Sequence, residues 1–147
     1  MGRGAGIALA CLLGGLLSAA ARPAVVYAYW LRNADPNLLP LILSVSAGIG
    51  LVVGALAVLS AAFIRETWLQ VIVAAVSGAG LAYVATIVTF LPLFWSGLLG
   101  LGGVRTVGEE APLYGAFMAL AGALSGLCGT LLQNRLTGPR RASDSTT

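Results

Sequence analysis

Few residues in this chain carry side chains suited to chemistry. Histidine and lysine are absent, which removes imidazole haem ligation, His-based zinc sites and histidine proton relays. Cys11 and Cys128 are the two thiols, too few for a Cys-only zinc site and too far apart for a CxxC redox pair. The five acids, Asp35, Glu66, Glu109, Glu110 and Asp144, all fall outside the apolar stretches, which disfavours a proton- or cation-coupled carrier. Nothing here makes a catalytic group or a side-chain metal site, so the chain reads as a non-enzyme. Two places remain. Arg22 lies inside an apolar stretch, where a guanidinium at mid-depth costs about 2.5–3.5 kcal/mol on insertion scales and so faces a partner, a cavity or an anion. Its alternative is to snorkel to the interface from a kink at Pro23. The second place is the run from Ala85 to Phe90. Pro92 frees the carbonyl of Val88, and Thr86 and Thr89 supply hydroxyls beside it; a helix broken in a membrane is tolerated only where it is buried or lines a polar cavity. A simple proline kink is the other outcome.

The elements that position these residues follow from composition. Of 147 residues, 59% are hydrophobic and 9% charged, with a mean hydropathy of +0.95. A water-facing surface needs about 25% charged residues, so the chain belongs in lipid. About 20 apolar residues cross the hydrocarbon core as a helix. The apolar stretches at about 5–31, 38–64, 68–96 and 112–133 therefore predict an all-α, polytopic membrane protein: one four-transmembrane-helix bundle over residues 1–134, with short loops and the third helix either broken or simply kinked near Thr86–Pro92. Residues 135–147 read as a polar, disordered tail. The start of the first stretch also fits a signal peptide, with Arg3, an apolar run from Ile7 to Leu17 and small residues at Ala19–Ala21. Apolar sequence resumes from Ala24 to Leu31, which favours a membrane helix.

Helices in lipid associate where small residues let backbones approach. Gly6, Ala10, Gly14 and Ser18 form one such stripe, and Ser46, Gly50 and Gly54 a second. Ala74, Gly78 and Ala82 form a third, and Gly122, Gly126 and Thr130 a fourth. Gly14, Ser18, Gly50, Gly54, Gly122 and Gly126 are the packing candidates. Cys11 and Cys128 fall at similar depth, as two buried thiols or, if the first and fourth helices touch there, a disulfide.

Arginines set orientation. With four crossings, Arg3, Arg65, Arg135, Arg140 and Arg141 share one side, and Arg32 and Arg105 the other, which places both termini in the cytoplasm of a bacterial-type inner or plasma membrane. Trp30, Trp68 and Trp95 fall near helix ends as interfacial anchors. The arginines are scattered over loops and ends and form no basic stripe for nucleic acid.

Several of these residues resemble a known family, the small four-helix fluoride channels of the CrcB or Fluc type. Gly14-Gly15-Leu16-Leu17-Ser18-Ala19-Ala20-Ala21-Arg22 is similar to their first-helix Gly-Gly-x-x-Gly-Ala-x-x-Arg motif. Ala85-Thr86-Ile87-Val88-Thr89-Phe90 resembles their broken Thr-Thr-Phe-Ser-Thr-Phe segment, and Tyr114, Gly122 and Gly129 match a tyrosine and two glycines of their fourth helix. The sequence departs where Ser46 stands for an asparagine, Ile87 for a pore phenylalanine and Pro23 for a tyrosine, and where a glutamate after the threonine segment is missing. The resemblance implies an antiparallel dimer with anion pathways at its interface and a central sodium ion held by carbonyls of the broken helix. It makes Arg22, Ser46, Thr86, Thr89 and Phe90 the ion-pathway residues: Phe90 offers a positive ring edge, the hydroxyls replace hydration, and Arg22 sets the vestibule potential. No other cofactor is implied. Five arginines against two should fix one orientation, so an antiparallel pair calls for an oppositely oriented partner.

Two functions follow from these residues. One is passive fluoride export through a dimer-interface pore. The other is a non-catalytic accessory or structural subunit of a larger membrane complex, as a homo- or hetero-oligomer, in which the stripes serve packing alone.

Overall fold

The structure, a computed structural model, describes residues 2–29, 39–95 and 104–137. They form four α-helices: α1 (Gly2–Tyr29), α2 (Leu39–Ala61), α3 (Thr67–Trp95) and α4 (Val104–Leu136). Each contains a segment long and apolar enough to cross a membrane, namely Gly4–Ala21, Pro40–Ala61, Thr67–Thr89 and Pro112–Leu136. No strand occurs among the described residues. The chain is an all-α four-helix bundle of an integral membrane protein.

One boundary differs markedly from the sequence reading. The stretch before residue 112, expected as loop, is helical from Val104. Pro112 suits the first turn of a helix, yet here it lies inside α4. Its ring forfeits only the bond to the Gly108 carbonyl. Of the two outcomes open near Thr86–Pro92, the break is not present: α3 runs unbroken to Trp95. Thr86 Oγ1 donates to the Ala82 carbonyl at 2.6 Å, so the hydroxyl folds back onto its own helix instead of replacing a backbone bond. Pro92 removes one bond three residues before the helix ends, where few remain to be lost. α1 likewise continues through Arg22 and Pro23 to Tyr29.

The bundle closes in ring order. α1 packs on α2 and α4, α3 packs on α4 and more loosely on α2, and α2 meets α4 across the middle. Its interior is made of small side chains: Ala10, Ala57 and Ala74 are fully buried, as are Ser18, Ser46 and Ser125. Close approach is strictest at two crossings. A methyl group on either Gly14 or Gly50 would strike the other's carbonyl, and the same holds for Gly78 and Gly122. At these points only glycine fits, because the hydrogen in place of the side chain points at the facing carbonyl oxygen, a Cα–H···O contact. Gly54 sits on the Ala10 carbonyl in the same way, and a methyl on Gly126 would lie 2.5 Å from the Ala74 carbonyl. Ser18 Oγ lies beside Gly50. Dispersion over such close faces holds helices together in lipid, where burying apolar surface gains nothing.

Candidate functional site: a buried hydroxyl layer

The glycine contacts fix the relative heights of the helices. α1 and α2 run antiparallel, with Gly14 on Gly50 and Gly54 on Ala10, so one turn beyond Gly14, Ser18 comes level with Ser46. α3 and α4 are also antiparallel. Gly78 lies on Gly122 and the Tyr83 ring covers Gly115, which brings Thr86 to the level of Tyr114. The two pairs are joined by a hydrogen bond between Ser46 Oγ and Tyr114 Oη, in which either hydroxyl can donate. Each helix therefore contributes one buried hydroxyl to a single layer: Ser18 (0% exposed), Ser46 (0%), Thr86 (1%) and Tyr114 (1%).

Their hydrogen bonding is unequal. Ser46 and Tyr114 partner each other across helices, and Thr86 is satisfied by Ala82. Ser18 Oγ has no partner. Thr130 Oγ1, lower on α4, is likewise buried without one, whereas Ser125 donates to the Gly122 carbonyl at 3.0 Å. A buried hydroxyl left unpaired costs about 1–3 kcal/mol, and Ser18 is the member of the layer that stands without a partner.

Of the pathway residues read from sequence, the fold brings Ser46 and Thr86 to the same layer. Thr89 is half-buried, one turn further along α3. Arg22 and Phe90 lie on the helical backbone of α1 and α3, but their side chains are outside the described residues. Ser18, read as a packing residue, belongs to the polar layer as well. Its signal in the sequence was its place four residues before Arg22, on the same stripe. Tyr114 stood out only through the family resemblance, and its burial against Ser46 gives it a structural reason.

The layer is enclosed. Among the described residues, grooves lie between helices on the outside of the bundle. One, of about 340 Å³, runs between Gly48, Val52 and Leu56 of α2 and Leu81 and Ala85 of α3. Another, of about 140 Å³, lies between α1 and α4 beside Leu17, Ala21 and Phe117. Neither is lined by a member of the layer. Cys11 and Cys128 are free, half-buried thiols, although α1 and α4 do touch near them, where a methyl on Gly129 would lie 2.6 Å from the Ala10 Cβ. Among the described residues no group of three acids or thiols is placed to hold a metal ion.

Set against known protein families, curated proteins and solved structures, the chain finds no match.

Proposed function

We propose that this chain is a non-catalytic structural subunit of a larger membrane protein complex. The observation that carries this reading is the unbroken α3. An ion pathway through the Ala85–Phe90 segment needs freed backbone groups, and here α3 stays helical throughout, Pro92 frees the Val88 carbonyl alone, and Thr86 turns its hydroxyl inward onto Ala82. Glycine against carbonyl at the helix crossings supports a bundle built for close packing. In this reading both termini face the cytoplasm of a bacterial-type inner or plasma membrane, in keeping with the five-to-two arginine imbalance.

A second reading, passive fluoride export at an interface between two chains, draws on one observation. Four buried hydroxyls share a level, and Ser18 has no partner; Arg22 follows Ser18 by one helical turn. Arg22, Ser46, Thr86, Thr89 and Phe90 would then line or flank the pathway, with a structural sodium ion among the carbonyls.

Fluoride efflux from liposomes containing the purified protein, read beside its mild-detergent co-purification from native membranes, separates the two. The subunit reading expects no flux above empty vesicles and partner proteins in fixed ratio. Flux that scales with protein content and falls in Thr86→Val would overturn it in favour of the channel.

A further inference from the structure

The contact between α1 and α4 runs in steps of four residues. Gly14 lies by Ser125, Ala10 on Gly129 and Gly6 on Gln133, where an added methyl would come within 2.7 Å of the Gln133 Cβ. One more step brings Gly2 level with Thr137. Arg3 is therefore level with Leu136, and the first turn of α1 stands beside the last turn of α4, which carries Arg135. Packed helix axes lie about 8–10 Å apart. That is close to the Debye length of about 8 Å at physiological salt, so the charges of Arg3 and Arg135 act on one patch of surface.

Both arginines stand at the edge of the lipid. Arg3 immediately precedes the apolar span that begins at Gly4, and Arg135 is the next-to-last residue of the span that ends at Leu136. Arg135 is exposed. In the sequence Arg140 and Arg141 follow closely on Thr137, and Asp144 is the one acid beyond them. α1 contains no acid, and the glutamates of α4 lie toward its other end, where Glu110 is about 37 Å from Arg135 at 1.5 Å per residue. The neighbouring corner at the same end of the bundle differs. There the α2–α3 turn carries Arg65 beside Glu66, both exposed, and their charges offset one another.

We infer that the corner where α1 begins and α4 ends binds the headgroups of anionic phospholipids through Arg3, Arg135, Arg140 and Arg141. Phosphate headgroups are the anions that lie at this height, and arginines just outside a membrane helix draw them in by charge. Four arginines against one acid give the corner the complementarity that an anionic headgroup rewards and a zwitterionic one does not.

Native mass spectrometry of the full chain in non-ionic detergent, titrated with phosphatidylglycerol or phosphatidylcholine of identical acyl chains, tests this. We expect phosphatidylglycerol to be preferred, and the preference to fall about fivefold in Arg3→Gln and about fivefold in Arg135→Gln, the share of one arginine at an anionic surface. Arg3→Lys and Arg135→Lys should keep most of it, because the attraction is to charge. Arg65→Gln should change it by less than about twofold, since Glu66 already offsets that arginine. Equal binding of the two lipids by the unaltered chain would overturn the inference. So would lysine variants that lose as much as the glutamine variants, or a fall in Arg65→Gln as large as that in Arg3→Gln. The outcome does not depend on whether the protein conducts or assembles, because no flux or partner enters the measurement.

Discussion

Ser46 of α2 and Tyr114 of α4 share a hydrogen bond in the centre of the bundle, with both side chains withdrawn from the surroundings. The bond joins the two helices that face each other across the middle, and so ties the α1–α2 pair to the α3–α4 pair. Tyr114 is also the largest fully buried side chain among the described residues. It packs with Ile42, Val53, Ala82 and Met118 in a core cluster that contains the bulkier groups.

Ser46→Ala should destabilise the bundle modestly. Interhelical hydrogen bonds in membranes average about 0.6 kcal/mol with a maximum near 1.7, because the separated helices find other partners. Unfolding in mixed micelles should show a loss in that range, and a double-mutant cycle with Tyr114→Phe should return a coupling of the same size. A coupling near zero would mean that the two hydroxyls act independently.

Glycines facing a carbonyl and glycines facing open space should respond to alanine with opposite sign. Gly50→Ala drives a methyl into the Gly14 carbonyl, and such overpacking costs about 1–3 kcal/mol. At Gly80 nothing lies within 4 Å of the added carbon, so Gly80→Ala should be neutral or stabilise by about 0.5–1 kcal/mol through helix propensity. The two variants, compared in one unfolding assay, check both the sign and the contrast.

Ser18→Ala should not destabilise. Its hydroxyl is buried and unpartnered, and removing it relieves a desolvation penalty of about 1 kcal/mol or more. An unfolding midpoint that rises or holds fits this geometry. A clear drop would show that Ser18 has a partner in the membrane, and would direct the fluoride assay to this residue first.

Orientation is open to a direct measurement. Reporter fusions at residues 1 and 147 should both report the cytoplasm, since Arg3, Arg65, Arg135, Arg140 and Arg141 oppose only Arg32 and Arg105 and arginine bias sets topology. Mixed orientation at both ends would instead allow an antiparallel pair of identical chains.

The number and type of elements were legible in the residues themselves, since four apolar stretches of spanning length separated by charged or proline-bearing segments leave a membrane chain few alternatives. The packing faces were legible too: the four-residue repeats through Gly14, Gly50, Gly78 and Gly122 lie on the sides where helices meet, because only small residues permit that approach. Helix ends were less so. Val104–Ala111 carries charge and glycine and reads as loop by hydropathy, yet it is helical, since hydropathy reports affinity for lipid and not backbone conformation. Whether α3 breaks near Thr86 stayed open for a related reason. A threonine hydroxyl satisfies a loosened backbone or its own helix equally well by composition, and only the fold shows it bonded to Ala82.

By itself the sequence determined that the protein lives in lipid, how many times it crosses, and which helix faces are bare enough to touch, because each of these depends on residue type and on spacing along one helix. The tertiary structure alone decided which stripe meets which, and hence that Ser18, Ser46, Thr86 and Tyr114 come to one level. That arrangement depends on the relative heights of four separate helices, which are set by glycine meeting carbonyl across the crossings and cannot be read along any single one of them.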